Sequence, residues 1–456
     1  MYTKISGAWN DLRASYWFIP ALMSVGAVIL SVVLLRVDRQ IGADIPPGAW
    51  YIFGGGPEGA RALMSSIVTA MISATSIVFS ITIVALTLAS GQFGSRLLRN
   101  FMRDRSNQVT LGTFIATFVY ALLALRSIRS VDDGEFVPPV TITAGVLLVF
   151  ASVGVLIYFI HHVAESIQAD RLIATTAYEL RKAIERLYPA ALGDPPPPQI
   201  DTPEAELPAD FAENRFTVRA EEENVLQAID TERMLEVARK RDLIVELHFR
   251  PGDFIQEGAA LASVWPRSAD EQEVHRQVRL AIVVGTHRTL QQDAEFGIHQ
   301  LVEIAVRALS TGINDPFTAM SCIDRLASAL AWLTGRSFPA RYRHDDAHDG
   351  KLRVIADTTS FAGFVDSAFN QIRQSAGHSA AVYIRLLEAL ATVASRAVTV
   401  EQRTAVRKHA DLVRDAALRA LDADQDKNDV EERHSIVSRA LLNAAANEER
   451  ASKSGT

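Results

Sequence analysis

The stretch from Leu63 to Ala89 reads LMSSIVTAMISATSIVFSITIVALTLA and contains no charged side chain. A bilayer core about 30 Å thick is crossed by about 20 apolar residues of helix, so this stretch is long enough to span a membrane. Three further apolar runs lie at Trp17 to Leu35, Leu111 to Leu125 and Val140 to Ile160. The four runs are separated by charged loops, which indicates a membrane protein with four transmembrane helices rather than a soluble helical one.

Composition divides the chain into two parts near His162. Of its 456 residues, 48% are hydrophobic and 22% are charged, too many charges for a protein buried throughout in lipid. The formal net charge of −7 argues against a nucleic-acid partner, which would require a basic surface. Cys322 is the one cysteine, so no intrachain disulfide and no multi-cysteine metal site can form.

Basic residues in the short loops predict the orientation, because such residues concentrate on the cytoplasmic side. The loop after the second run has four arginines and one aspartate between residues 96 and 105 and is predicted to be cytoplasmic. The loop after the third run contains Asp132, Asp133 and Glu135 and is predicted to be external. Arg36, Arg39 and Arg61 disagree mildly with this scheme. We expect a multi-pass membrane protein with both termini in the cytoplasm.

Hydroxyl side chains form one stripe along the second predicted helix. Their spacing alternates between three and four residues and then extends by one heptad, which places them on one helical face. The members are Ser66, Thr69, Ser73, Ser76, Ser80 and Thr87. Two interpretations stay open: small hydroxyl residues can let helices pack closely, or they can face water as the lining of a pore.

The segment after this helix favours the pore interpretation. A helix from Leu63 to Ala89 is about 40 Å long at 1.5 Å per residue, which exceeds the hydrocarbon core. Gly91 and Gly94 permit a bend after it. Beyond the bend, Phe101 lies with other apolar residues opposite a basic side, which predicts an interfacial gate helix. The basic side consists of Arg96, Arg99 and Arg103.

The second part of the chain is expected to be a cytoplasmic α+β domain. Strand patterns at Val225–Ile229 and Leu243–Phe249, followed by hairpin turns to Val264, resemble the barrel-sandwich element of lipoyl and biotinyl domains. No lysine occupies a tight turn, so a structural barrel is predicted. The predicted divisions are a cytoplasmic N-terminal segment (1–16), a four-helix transmembrane domain (17–162), a helical extension (163–193), a Pro-rich and acidic linker (194–214), a small β-rich barrel-like subdomain (215–266) and a helical bundle with a disordered tail (267–456).

One helix junction is distinctive within the helical part. Gly312 is predicted to take a left-handed cap, and Asn314 follows it. Asp315 is predicted to cap the next helix, and Pro316 suits its first turn. The alternative is a divalent metal site built on His299 and Glu303, with Asp293, Asp315 and Asp324 near them in sequence. No named metal, nucleotide or nucleophile motif is matched, so we expect no metal, no cofactor and no enzyme.

Four motifs together resemble a known family. They are the stretch Gly91-Gln92-Phe93-Gly94-Ser95-Arg96-Leu97-Leu98, the strand end Ala228-Ile229-Asp230, the turn Arg250-Pro251-Gly252-Asp253 and Gly312-Ile313-Asn314-Asp315-Pro316. These motifs are similar to those of the bacterial predicted membrane proteins grouped as domain of unknown function 2254, over most of the chain to about Leu421. The resemblance implies four spans in an inner membrane and implies no activity.

The sequence therefore predicts a homo-oligomeric ion channel or pore whose second helix lines the pathway. Its expected partners are the lipid bilayer, further copies of the chain and inorganic ions. The alternative hypothesis is a membrane-anchored sensor or scaffold, in which the cytoplasmic domain binds a partner or small ligand and the stripe packs helices.

Overall fold

The computed structural model describes residues 17–41, 53–93, 104–129, 136–166, 168–189, 207–267, 270–345 and 348–454. The chain divides into two compact units, Met1–Arg171 and Leu172–Thr456. The first contains four long apolar helices, and the second contains helices and two β-sheets. The predicted N-terminal segment 1–16 and most of the predicted linker 194–214 lie outside the described residues.

The four helices of the first unit are α1 (Phe18–Ile41), α2 (Pro57–Phe93), α3 (Arg105–Ser127) and α4 (Pro139–Ser166). All four are long and apolar enough to cross a membrane, which confirms the predicted number of candidate spans. Pro57 and Pro139 begin α2 and α4, where the missing N–H has no intrahelical partner to lose. Asp104 caps α3 by accepting a hydrogen bond from the Ser106 N–H at 2.8 Å.

The third helix is the most enclosed of the four. It contacts α1, α2 and α4. Within an apolar stretch of 18 residues, 50% of the residues of α3 are buried, against 17% to 22% in the other three helices. Thr117 and Ser152 share a hydrogen bond of 3.1 Å between α3 and α4. The Tyr120 hydroxyl donates to the Thr141 carbonyl at 2.8 Å. Lipid provides no hydrogen-bond partner, so these internal bonds allow the polar groups to be buried.

A buried carboxylate joins the end of α1 to the start of α4. Asp38 is 3% exposed, and its two oxygens accept hydrogen bonds from the Val140 and Thr141 N–H groups at 2.9 Å each. The Thr141 hydroxyl donates to the same carboxylate at 2.5 Å. A carboxylate at a helix N-terminus satisfies free N–H groups and complements the helix dipole.

The first candidate span therefore contains a carboxylate, although the shorter apolar run that predicted this span does not. Helix α1 extends past Leu35, so Asp38 falls inside the first candidate span, while Glu58 and Glu165 lie in the terminal turns of the second and fourth. The sequence pattern missed Asp38 because its partner helix begins about a hundred residues later in the chain.

Replacing Asp38 with alanine should destabilise the first unit by about 1–3 kcal/mol, because buried N–H groups lose their acceptor. Asp38→Asn keeps one oxygen acceptor and should cost less. The measurement is thermal unfolding of the purified protein in detergent, followed by circular dichroism. Ser24→Ala, which removes a hydroxyl bonded only to its own helix, is the control. Identical melting of Asp38→Ala and the parent would contradict the capping account.

Helix α5 (Ala169–Leu187) leads into the second unit. The predicted helical extension 163–193 is thus a separate helix, since α4 ends at Ser166. Arg186 of α5 donates to the Leu290 and Gln291 carbonyls at 2.7 and 3.0 Å. The Arg181 guanidinium lies 4.4 Å from the centre of the Trp332 ring. These contacts attach α5 to the body of the second unit.

Eight strands of the second unit form two sheets. They are β1 (Phe216–Arg219), β2 (Asn224–Ile229), β3 (Ile244–Leu247), β4 (Phe254–Ile255), β5 (Ala260–Trp265), β6 (Ile282–Gly285), β7 (Tyr342–His344) and β8 (Leu352–Ala356). The five-stranded sheet has the order β1-β5-β3-β8-β7, and only β3 and β8 are parallel. The three-stranded sheet has the antiparallel order β4-β2-β6. Helices α6 (Thr231–Lys240) and α7 (Glu271–Leu280) help to enclose their shared core.

The region 267–456, which was predicted to form a helical bundle, also contains strands. Three strands of that region, β6, β7 and β8, complete both sheets. They are short and pair with strands far away in sequence, so local periodicity does not reveal them. The predicted strands of the 215–266 segment correspond to β2, β3, β4 and β5. The barrel-like closure of this segment stays a prediction.

The remaining helices are α8 (Ala294–Ala308), α9 (Pro316–Leu333), α10 (Phe361–Ser375), α11 (Ala380–Ala394), α12 (Val400–Ala420) and α13 (Asp424–Ser454). Helix α13 continues to Ser454, within the region where a disordered tail was predicted. Ion pairs hold this charged helix on α11 and α12. His434 contacts Asp411 at 2.8 Å, and Arg433 contacts Glu388 at 3.2 Å.

Candidate functional site

The hydroxyl stripe lies on the exposed face of α2. Every one of its six residues is exposed in the single chain: Ser66, Thr69, Ser73, Ser76, Ser80 and Thr87. The opposite face is buried against the neighbouring helices and contains Ala60, Met64, Ile67, Met71, Val78 and Ala85. The stripe therefore does not pack against the other described helices of its own chain.

Five of the six stripe hydroxyls donate to a carbonyl of their own helix. The Ser73 hydroxyl donates to the Thr69 carbonyl at 2.9 Å, and the Ser76 hydroxyl donates to the Ile72 carbonyl at 3.0 Å. Ser66, Thr69 and Thr87 make equivalent bonds four residues back. Such bonding satisfies each donor and leaves the hydroxyl oxygen able to accept a bond from outside. These five residues can consequently face lipid, water or a second helix without an unsatisfied donor.

Part of the predicted gate linkage lies outside the described residues. Arg96, Arg99, Phe101 and Arg103 belong to this group, and so does Gly94. Helix α2 itself continues through Gly91 to Phe93. The interfacial gate helix and its bend therefore stay predictions.

Both histidines at the end of α4 contact carboxylates. His162 Nε2 lies 2.5 Å from Asp104 Oδ2, and the Tyr158 ring stacks on the imidazole at 5.5 Å. Tyr158 also shares a hydrogen bond with Ser106 at 3.1 Å. These contacts fix the first turn of α3 against the last turns of α4. His161 pairs with Glu165 at 3.1 Å and is largely exposed.

A network of charged side chains lies at the N-terminus of α8 in the second unit. Arg288 forms a two-point contact with Asp293, at 2.7 and 3.0 Å, and its third nitrogen lies 2.9 Å from His299 Nδ1. Arg250 contacts Glu295 at 3.2 Å, and the Ser367 hydroxyl donates to the same carboxylate at 2.5 Å. Asp293 is 5% exposed, so its pairing with a planar guanidinium stabilises a buried charge.

The Arg250-Pro251-Gly252-Asp253 turn packs directly onto this network. Gly252 has φ +103°, and a Cβ added there would lie 2.4 Å from Asp293 Oδ2. Glycine is required at this position by both its backbone conformation and the close approach of the carboxylate. Burial raises the pKa of the nearby Tyr188 phenol, and the negative charges of Asp293 and Glu295 raise it further. The network thus joins a turn, a helix start and the chain after α5.

The proposed metal ligands are not brought together. Within the described residues, no group of three or more His, Cys, Asp or Glu side chains is placed to hold a metal ion. His299 and Asp293 belong to the arginine network, Glu303 contacts Arg307 at 3.5 Å, and Asp324 contacts Arg385 at 3.6 Å. These four side chains therefore have arginine partners and do not need a metal ion to account for their positions.

The helix junction differs from its prediction at the residue that takes positive φ. Gly312 is not in the left-handed region, and Asn314 is, with φ +50°. Asparagine tolerates this conformation better than other residues with a side chain. Asp315 accepts hydrogen bonds from the Thr318 N–H at 3.1 Å and the Thr318 hydroxyl at 2.6 Å, which lowers the pKa of its carboxyl. Pro316 occupies the first turn of α9.

Sequence reasoning did not find the arginine network. It noted His299 and Asp293 but not Arg288, Glu295 or Ser367, which come from separate elements. The sequence did contain a signal. Asp293 caps a helix, Glu295 and His299 lie one turn apart near its start, and Arg288 precedes all three.

Gly252→Ala should destabilise the second unit by about 1–3 kcal/mol through backbone strain, with a further cost from the Asp293 clash. Gly258→Ala is the matched control, because Gly258 has φ +76° but no atom within 4 Å of the position that an alanine methyl would take. Thermal unfolding of both variants separates the cost of backbone strain from the cost of the clash with Asp293. Equal melting temperatures would show that the contact with Asp293 carries no additional cost.

Asn314→Val should cost about 1–2 kcal/mol, because a β-branched side chain resists left-handed backbone. Asn314→Gly should be neutral or slightly stabilising, and Gly312→Ala should be tolerated. Chemical denaturation monitored by tryptophan fluorescence provides the comparison. The account fails if Gly312→Ala is the more damaging change.

Comparison with known proteins identifies relatives of this chain. Uncharacterized proteins of Mycobacterium bovis and Mycobacterium tuberculosis are 32% identical to it over 432 residues, which is 94% of this chain and 81% of each relative. No solved structure matches the chain. The family model described as predicted membrane protein, DUF2254, matches residues 13–392. With its four candidate spans and the motifs above, the chain belongs to this family of predicted membrane proteins.

Proposed function

We propose that this protein is a homo-oligomeric pore for inorganic ions in the bacterial inner membrane, with α2 of each subunit lining the pathway. The proposed orientation, with both termini in the cytoplasm, rests on the arginine-rich loop between α2 and α3. The pore hypothesis accounts for a polar face on the outside of an otherwise apolar four-helix unit.

The observation that carries the proposal is the exposure of the whole stripe. The six hydroxyl residues are exposed, whereas the opposite face of α2 is buried. Packing within the chain would have placed the stripe toward α3 or α4. The remaining environments are lipid, a helix of another subunit, or water enclosed by several subunits. Arrangement of several copies around an axis gives each stripe a common polar surface.

The length of α2 supports a pathway rather than a simple anchor. Its 37 residues extend about 55 Å at 1.5 Å per residue, well beyond a hydrocarbon core of about 30 Å. A helix of this length tilts or projects beyond the bilayer. If α2 projects beyond the bilayer at its C-terminus, its last residues lead into the predicted interfacial gate helix.

The chemistry of the stripe suggests how strongly the pore would bind ions. Serine and threonine oxygens offer partial negative charge, and their hydroxyl protons already bond to the helix backbone. An oxygen lining without a formal charge would interact weakly with cations and would not bind any ion tightly. Weak binding of this kind is compatible with conduction, which requires ions to leave as well as enter.

The alternative function is a membrane-anchored sensor or scaffold. The second unit contains a cleft of about 490 Å³ between α6 and α7, where a small polar ligand could bind. Its lining is mostly charged and includes Asp230, Arg233, Lys240 and Glu273. Under this alternative, the stripe faces lipid or packs against another chain and stays dry.

Cysteine accessibility distinguishes these hypotheses. Cysteines at Thr69, Ser73, Ser76 and Ser80 should react with a small water-soluble thiol reagent in intact oligomers. Two controls should react slowly: Val78→Cys on the buried face and Phe79→Cys, which is exposed in the single chain but lies off the stripe. Burial raises the pKa of the Cys322 thiol, so the native cysteine should contribute little background.

Oligomeric state and ion flux complete the test. The protein should purify as a closed symmetric oligomer, and Ser76→Leu should reduce flux in liposomes by drying the pore. Ser76→Thr keeps the hydroxyl and should conduct. A stable monomer with an unreactive stripe would contradict the pore and leave the sensor or scaffold hypothesis.

A further inference from the structure

The junction between α8 and α9 forms an exposed apolar tip. Phe317, in the first turn of α9, is 75% exposed, and Ile313 in the preceding turn is 42% exposed. The Ile313 N–H donates to the Ser310 carbonyl at 3.1 Å and closes this turn. From Ser310 to Phe317 the only charged residue is Asp315, whose carboxylate already caps α9. The tip therefore presents two apolar side chains on a hydrogen-bonded backbone.

Contacts of α5 with α8 show at which end of the second unit this tip lies. Near the C-terminus of α5, Arg186 donates to the Leu290 and Gln291 carbonyls, which precede α8. Earlier in α5, Leu180 lies against Gly297 inside α8, where an added Cβ would be 3.1 Å from the Leu180 Cβ. The two helices therefore run in opposite directions past this contact, and the start of α5 lies toward the end of α8.

Contacts of α5 with α9 give the same direction. The Pro189 carbonyl, which follows α5, accepts a hydrogen bond at 3.1 Å from the Ser337 N–H, which follows α9. Earlier in α5, the Arg181 guanidinium lies 4.4 Å from the centre of the Trp332 ring inside α9. Helix α5 consequently runs in the same direction as α9, and its start lies toward Phe317 at the start of α9.

The start of α5 is also the point at which the chain leaves the membrane helices. Ala169 begins α5, and Glu165 ends the fourth candidate span. The few residues between them extend about 14 Å at most, so the start of α5 must lie close to the membrane surface. The tip lies at this same end of the second unit, because α5 from Leu180 back to Ala169 and α8 from Gly297 on to Ala308 are equally long.

The size and composition of the tip favour lipid as its partner. A specific protein interface buries about 800 Å² on each side, which two side chains cannot supply. Phenylalanine and aliphatic side chains suit the boundary between lipid headgroups and acyl chains, about 5–10 Å deep. Backbone hydrogen bonds already fix the turn, so insertion would order little further chain. No residue from Ser310 to Phe317 is basic, so the contact should not require anionic lipid.

We propose that the α8–α9 tip inserts Ile313 and Phe317 into the interfacial layer of the bilayer, at the membrane surface where α4 ends. This inference rests on the four candidate spans and depends neither on the pore nor on which side of the membrane the second unit occupies. It gives the helix junction a role: the positive φ of Asn314 and the Asp315 cap hold the two apolar side chains outward.

Spin labelling of the full-length protein in phosphatidylcholine liposomes tests the insertion. A nitroxide is attached at Ile313→Cys or Phe317→Cys in a Cys322→Ala chain, and collisions with oxygen and with a water-soluble nickel chelate are measured. Oxygen concentrates among acyl chains and the chelate stays in water. The oxygen-to-nickel collision ratio at both tip positions should therefore exceed that of the control at least about threefold.

The control is Val400→Cys, labelled in the same background. Val400 is 67% exposed at the start of α12, and Gln402 beside it donates to the Thr334 carbonyl at 3.1 Å. Thr334 ends α9, so Val400 is an exposed apolar residue at the opposite end of α9 from the tip. Its label should collide mainly with the nickel chelate.

Substitution of the second apolar residue provides another arm. Phe317→Asn in the Ile313→Cys chain should lower the collision ratio toward that of Val400→Cys, because the tip loses most of its apolar surface. Phe317→Leu keeps an apolar side chain and should retain the ratio. Adding anionic phosphatidylglycerol to the liposomes should change neither result, since the tip has no basic residue.

Three outcomes would overturn the inference. A tip ratio equal to that of Val400→Cys would place the tip in water. Few collisions with either reagent, together with spin–spin broadening, would show that a second copy covers it. A ratio that rises only with phosphatidylglycerol would show an electrostatic contact instead. None of these results bears on the pore, whose test is the reactivity of the α2 stripe, so either proposal can fail alone.

Discussion

A polar group inside a bilayer has no water to bond, so its burial is costly unless it finds a partner within protein. This constraint selects helices, which satisfy their own backbone, and it also governs the helix ends. Asp38 supplies acceptors to the first turn of α4, and Tyr120 donates to a carbonyl of the same turn. Thr117 and Ser152 satisfy each other. The bundle is thus held by polar contacts placed where lipid would leave a group unpaired.

The same reasoning gives the buried charges of the second unit their structural role. Asp293 is nearly inaccessible to water, and its pairing with Arg288 offsets the cost of removing both from solvent. Arg250 and Glu295 extend the network to the turn that Gly252 makes possible. Because removal of one partner would leave an uncompensated buried charge, the network fixes a single packing of the turn on α8.

Local patterns in the sequence were sufficient for the four spans, for most elements from 215 to 266 and for the Asp315 cap. They failed where structure depends on distant residues. β8 is inserted between β3 and β7, and Asp38 reaches a helix about a hundred residues away. Spacing alone does not decide whether Gly312 or Asn314 takes positive φ, because both residue types permit this conformation. The stripe itself was visible from spacing, but its exposure depends on which face of α2 packs against α3.

That exposed face and the apolar edges of the smaller sheet pose related physical problems. The apolar flanks of α2 are compatible with lipid, whereas the sheet edges that expose Phe254 and two valines carry no charged residue of their own. A contact at one of these surfaces raises the effective concentration at the other, because both belong to one chain.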